Sequence, residues 1–187
     1  MNWNKYREII KNTPFTEGLN YAPVAVWLHP ENIPVGIIPS GDIKEKIIRI
    51  PETAVNKYGK TVQVAAVGKD AFCGCAAVTD IIIPPCVSAI YQGAFAGCLS
   101  LERITVPKAV KKIGQCTFES CTALTDIYYE GSPDEWKEIE IVHYKHEVEL
   151  GELTPGSPVQ EKVAERYIHI PGNEPLYSAN IHFFCVI

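Results

Sequence analysis

A 23-residue spacing, held in phase through three units, constrains this chain more than any other feature. Phe72, Phe95 and Phe118 carry it, and so do Cys75, Cys98 and Cys121. Val78, Leu101 and Leu124 repeat the step, as do Ile81, Ile104 and Ile127, then Ile83, Val106 and Tyr129. Val67, Ile90 and Ile113 form a sixth row, and Pro84 and Pro107 a partial seventh. A fixed period of twenty-odd residues marks a solenoid. Each unit is one coil that cannot bury its apolar face alone, and stacking joins those faces into one core.

Inside a unit, Ile104-Thr105-Val106 alternates in, out, in, as a half-buried strand must. Pro107 has no N–H to donate and ends or turns the strand. Val110 and Ile113 re-enter the core before Gly114, and Ala94-Phe95-Ala96-Gly97-Cys98 turns the chain back, with Phe as the large filler and Cys as the small one. The cysteines read as free thiols acting as small buried hydrophobes. Stacked ladder thiols point the same way and sit nearer the strand spacing of about 4.8 Å than the shorter Cβ separation a disulfide favours. Seven cysteines, an odd count, also fit a reducing compartment better than a closed disulfide framework.

The flanks depart from the period. Residues 3–11 read as an amphipathic helix with Trp3, Tyr6, Ile9 and Ile10 on one face and Asn2 as its cap. It is expected to cover the open end of the solenoid, or else to dock on a partner. Val24, Val26 and Leu28 alternate as a strand does, Pro30 and Pro34 interrupt, and residues 35–39 and 47–51 are strand-like. Pro51 precedes Pro84 by 33 residues, ten more than the period, and the excess falls at residues 56–64, a hairpin turning at Tyr58-Gly59-Lys60.

Beyond Tyr129, Glu130 breaks the proline row, and Ser132-Pro133-Asp134-Glu135 has the spacing of a capping box for a short helix from Pro133 to about Ile139, with Trp136 over the last coil. Residues 143–166 read as an inserted excursion and 168–171 as a strand. Residues 173–177 read as a turn, and 181–187 as a strand sealing the C-terminal end. This divides one domain into an N-terminal cap (1–47), repeats (48–130) and a C-terminal cap with an inserted loop (131–187).

The pattern Ile-x-Ile-Pro-x-x-Val-x-x-Ile-x-x-x-Ala-Phe-x-x-Cys-x-x-Leu-x-x-Ile over residues 48–129 resembles the BspA-type leucine-rich repeats. The resemblance implies a strand-rich α/β fold, a right-handed leucine-rich-repeat solenoid of short parallel strands with irregular caps. It also implies a binding or adhesion role.

A formal charge of −5 disfavours nucleic acid and anionic membranes as partners, and no apolar run reaches the 18 residues of a membrane-spanning helix. The first residues have no apolar stretch of signal-peptide length, so a cytoplasmic location is expected, with the cell surface as the alternative if a leader has been removed.

No phosphate loop, nucleophile elbow or zincin helix is present. Cys73-x-Cys75 lacks the second pair a metal site needs. His143 and His146 with Glu147 could hold an ion on one helix face, but read better as a solvated charged segment; His169 and His182 read as structural. No cofactor and no enzymatic activity are expected. The best functional surface is the outward side of the repeated strands. Arg49, Ile82, Thr105 and Tyr128 form one column, with Asp80, Arg103 and Asp126 two residues earlier, a face suited to a protein partner. The expected function is non-enzymatic protein–protein interaction, with extracellular or cell-surface adhesion or carbohydrate binding as the alternative. Weak self-association through an end strand is a further expectation.

Overall fold

The computed structural model describes residues 3–23, 35–38, 43–142 and 173–183. Helix α1 covers Trp3–Asn12. Strands β1 (Asn20–Pro23), β2 (Val35–Ile38), β3 (Ile47–Arg49), β4 (Thr53–Val55), β5 (Thr61–Val67), β6 (Asp80–Ile82), β7 (Ala89–Ile90), β8 (Arg103–Val106), β9 (Lys112–Ile113) and β10 (Asp126–Tyr129) follow. Then come α2 (Pro133–Lys137), β11 (Glu140–Ile141), α3 (Glu174–Ser178) and β12 (Asn180–Phe183).

The 23-residue period is the geometric step between coils. Strand order β12–β10–β8–β6–β3 forms one parallel sheet, and β2–β5–β7–β9–β11 forms the parallel run of a second, which β1 and β4 join antiparallel. Each coil contributes one strand to each sheet. Register follows the sequence rows: Ile48, Ile81, Ile104, Ile127 and Ile181 are successive neighbours, as are Val67, Ile90 and Ile113. Phe72 stacks on Phe95 at 5.8 Å between ring centroids and Phe95 on Phe118 at 5.5 Å, all three buried. The ladder thiols do more than fill space: Cys98 Sγ donates to Phe72 O at 3.2 Å and Cys121 Sγ to Phe95 O at 3.1 Å, so each thiol ties its coil to the one before.

The turns carry a second periodic signal. Asp70, Gly93 and Cys116 are 23 apart and all have positive φ, and so are Gly74, Gly97 and Ser120. These left-handed positions tighten each coil at fixed points. The first two units supply glycine at three of the four; the third unit uses Cys116 and Ser120, which carry the steric cost of a Cβ there.

The flanks confirm some expectations and correct others. The β4–β5 hairpin turns through Asn56–Lys60, with Gly59 at φ 74° and Asn56 Oδ1 accepting from the amides of Tyr58 and Lys60. Helix α2 has the complete capping box, Ser132 and Glu135 each accepting from the other's backbone amide, but ends at Lys137, short of the expected Ile139. Trp136 meets Tyr129 edge-on at 5.0 Å.

Residues 173–177, expected as a turn, instead form the N-cap Asn173 and the body of helix α3, which seats Leu176 in the core. Phe72 N donates to Ala94 O and Phe95 N to Thr117 O; at Phe118 the buried Asn173 side chain accepts at 3.2 Å, in the place a backbone carbonyl takes in the two earlier coils, while donating to Gly114 O at 3.0 Å. Strand β12 closes the C-terminal end of the sheet as expected, and does so as one more rung: it pairs parallel with β10, although Ile181 follows Ile127 by 54 residues. The expected cap on Asn2, the strand at 24–28, the excursion at 143–166 and the strand at 168–171 lie outside the described residues, as do His143, His146, His169 and Cys185.

Candidate protein-interaction face

The outward side chains of the β12–β10–β8–β6–β3 sheet align in two columns. Arg49, Ile82, Thr105, Tyr128 and His182 are successive register partners, and beside them run Ile47, Asp80, Arg103, Asp126 and Asn180. All seven residues expected at a contact face are therefore brought together. Sequence reasoning missed the extra rung. The Ile181-His182-Phe183 alternation matches Ile127-Tyr128-Tyr129, but the 54-residue separation takes it off the period.

The expectation of an open face is corrected. Asp80, Ile82, Thr105 and Tyr128 are buried, at 2%, 7%, 2% and 0% exposure, and Arg49, Arg103 and Asp126 are only partly exposed. Helix α1, expected over the open end, lies on this face instead. Tyr6 is fully buried and stacks on Tyr128 with centroids 4.4 Å apart; Tyr128 stacks in turn on His182 at 4.8 Å. The Arg103 guanidinium lies 6.0 Å from the Tyr6 ring centroid. At the other end of the helix, Arg49 Nη1 donates to Thr13 O at 2.7 Å, the Arg49 and Thr16 backbones join through Thr16 N to Arg49 O, and the Arg49 guanidinium covers Phe15.

The helix thus runs from β10 to β3. Ten residues make about 15 Å of helix, and four strands at about 4.8 Å spacing cover about 14 Å. The physical reason for this placement is twofold. A column with an isoleucine and a tyrosine gains by leaving water, and the Asp80 carboxylate beside it tolerates the burial because Arg103 pairs with it. The ends are already served, by β1–β2 and the Thr16 contact on one side and by β12, α3 and Asn173 on the other.

Electrostatics beneath the helix are paired. Arg103 binds Asp80 through Nε at 2.5 Å and Nη2 at 2.9 Å, and binds Glu102 through Nη1 at 2.6 Å. The hydrogen bonds to Asp80 push the guanidinium further up than usual. Thr79 Oγ1 also donates to Asp80. Burial first, and then the Asp80 charge, raise the Tyr6 phenol far above its ordinary value, so it stays neutral. Asp126 pairs with His182 Nε2 at 2.6 Å. Burial works to raise its carboxyl, but the hydrogen bonds from His182 and Thr125 win and hold it below the ordinary carboxylate range.

Four of the described thiols are unsuited to nucleophilic work. Burial raises Cys86, Cys98 and Cys116, and pushes Cys121 up to about 12. Among the described residues no three His, Cys, Asp or Glu side chains gather as a metal site would require, and no helix is long and apolar enough to cross a membrane.

The sequence pattern described as the BspA type leucine rich repeat region matches residues 44–154 in six copies, extending on both sides of the 48–130 that the visible period marks. Among solved structures, the chain is similar to a leucine rich cell surface protein from Faecalibacterium prausnitzii at 28% identity and a TM-score of 0.49, covering 64% of this chain and 34% of that one. It is also similar to a leucine-rich repeat protein from Bacteroides ovatus, at 26% identity and a TM-score of 0.51, covering 68% and 36%. The T. pallidum leucine rich repeat protein shares the fold at 21% identity and a TM-score of 0.53, covering 70% and 64%. The chain spans about a third of the length of the first two. No curated protein matches it.

Proposed function

This chain belongs to the BspA-type leucine-rich repeat family, and from that premise we propose that it is a non-enzymatic protein-interaction module whose contact surface is the outer face of the β3–β6–β8–β10–β12 sheet. One observation carries the reading. The outer column changes residue at every rung, from Arg49 to Ile82, Thr105, Tyr128 and His182, while the inner row keeps isoleucine at all five. Stacking of coils needs only the inner row; a varied aromatic and charged column is what recognition of another polypeptide uses. That this face already seats a helix supports a protein partner over a small molecule or a nucleic acid, as does the net charge of −5.

The test is affinity capture from the source organism with the wild-type chain and Tyr128→Ala, both checked for folding by circular dichroism. Bands captured by the first and lost with the second are expected; equal capture rejects the face. The carbonyl-bonded ladder thiols support a reducing, cytoplasmic setting. Alkylation, after denaturation, of chain isolated without reductant is expected to label all seven cysteines; disulfide-protected thiols would place it outside the cell.

A further inference from the structure

We infer that helix α1 is a displaceable resident of the sheet face, and that the partner which replaces it is a basic amphipathic helix presenting a tyrosine to Tyr128 and Asp80. This rests on the reading of that face as a protein-binding surface and adds what binds there and what holds it shut.

The helix is lightly held. Of its described side chains only Tyr6 is fully buried; Ile9 and Ile10 are half-buried, while Asn4, Lys5, Arg7, Glu8, Lys11 and Asn12 are exposed. A ten-residue segment is marginal as a free helix in water, so α1 owes its helicity to docking, and lifting it also melts it. Its tether stays anchored when it leaves, because Thr16 N donates to Arg49 O at 2.8 Å and the Arg49 amide donates back to the Thr16 side-chain Oγ1 at 2.9 Å.

What α1 covers is specific. Tyr128 offers a ring face, already stacked on its far side by His182, and the Asp80–Arg103 pair offers a carboxylate and a guanidinium at the position of the Tyr6 ring. Charge sets the sign of the visitor. Lys5, Arg7 and Lys11 against Glu8 give α1 a net +2, which leaves −7 on the rest of a chain whose total is −5. The resident helix is therefore the template for its replacement.

A tethered occupant competes at high effective concentration. A partner's apparent affinity then falls by the fraction of molecules with the face open.

The probe is a fluorescein-labelled synthetic peptide with the sequence of residues 3–12, and a second peptide with its tyrosine replaced by alanine. The proteins are the full chain, Tyr6→Ala, and Tyr6→Ala combined with Tyr128→Ala. The peptide is expected to bind Tyr6→Ala at least tenfold more tightly than wild type, the ratio set by α1 being seated in about nine molecules of ten. Adding Tyr128→Ala, or removing the peptide's tyrosine, is expected to abolish binding. Equal affinity for wild type and Tyr6→Ala, or binding indifferent to Tyr128, overturns the inference.

Hydrogen exchange on the wild type gives a readout independent of any variant's folding. Amides of α1 should exchange at least 100-fold faster than those of Ile81, Ile104 and Ile127. Matching rates mean that the helix leaves only when the whole chain unfolds, which also overturns it. A wild-type dimer at high concentration that Tyr6→Ala abolishes would make a second copy the occupant and reject a foreign helix. If these measurements fail while capture from the lysate still depends on Tyr128, the helix inference falls and the contact face stands; if Tyr128 is irrelevant to both, the face falls.

Discussion

On the inner face of the β12–β10–β8–β6–β3 sheet, Ile81 meets Ile104 and Ile104 meets Ile127; on the outer face of the same strands, Ile82 meets Thr105 and Thr105 meets Tyr128. Both faces are buried at these rungs. The inner one is buried by copies of itself, so one solution repeated at every step suffices. The outer one is buried by α1, a single object with one tyrosine, one end near Tyr128 and the other at Arg49, so each rung must answer a different neighbour. Repetition records self-stacking, and its absence on a buried surface records a unique contact.

The contrast breaks most visibly at Phe95. Phe95→Ala removes the middle ring of the inner stack and is expected to cost about 3–5 kcal/mol, read as a lower urea midpoint at unchanged slope. On the outer face, Asp80→Ala leaves Arg103 over a buried site with Glu102 as its remaining carboxylate. The expected cost is about 2 kcal/mol, below that of a fully buried broken pair because Arg103 keeps some exposure. Replacing both members, Asp80→Leu with Arg103→Met, should recover most of that loss in the same titration.

Tyr6→Ala sharpens the comparison further. A buried tyrosine in the coil core would be worth as much as Phe95, but here the loss is limited to the docking energy of α1, about 1–2 kcal/mol for a helix seated in about nine molecules of ten. It should accelerate hydrogen exchange in α1 and leave β8 unchanged.

Ser120→Gly acts only on the coil's own geometry. It relieves a left-handed φ of 61° and should raise stability by about 0.5–1 kcal/mol, the steric relief less glycine's added chain entropy.

The smallest effect is pH-dependent. The Asp126 carboxyl is depressed in the folded chain, so its pairing with His182 contributes above the ordinary carboxylate pKa of about 4 and is lost as pH falls through the folded value. Asp126→Asn should differ from wild type in melting temperature at pH 6, and the gap should close below that range.

These residues also show what a sequence can and cannot disclose. Phe72, Phe95 and Phe118 announce their environment because each is the others' neighbour, so identity and spacing contain the packing. The seven face residues were found for the same reason: register carries the outward positions along with the inward ones. Their burial was not legible. Whether Tyr128 meets water depends on where Tyr6 lies, 122 residues away, and an amphipathic stripe states that a helix must cover something without stating what. Asn173 is a singleton of the same kind; nothing in Gly-Asn-Glu-Pro says that its amide oxygen takes the place a backbone carbonyl holds in the earlier coils. The left-handed row at Gly74 and Gly97 is in phase with the period and readable from glycine spacing alone, but Ser120 hides its third member.

The Asn173 contact bears on how such an array can change length. Because one side-chain amide completes the backbone that Phe118 leaves open, the terminus is closed by a stopper shaped to a particular unit. Appending new units after it would strand that stopper inside the stack, where no carbonyl is lacking. Duplication of a middle unit leaves both the stopper and its seat untouched. Lineages of this architecture should therefore lengthen from the interior, carrying their last turn outward unchanged.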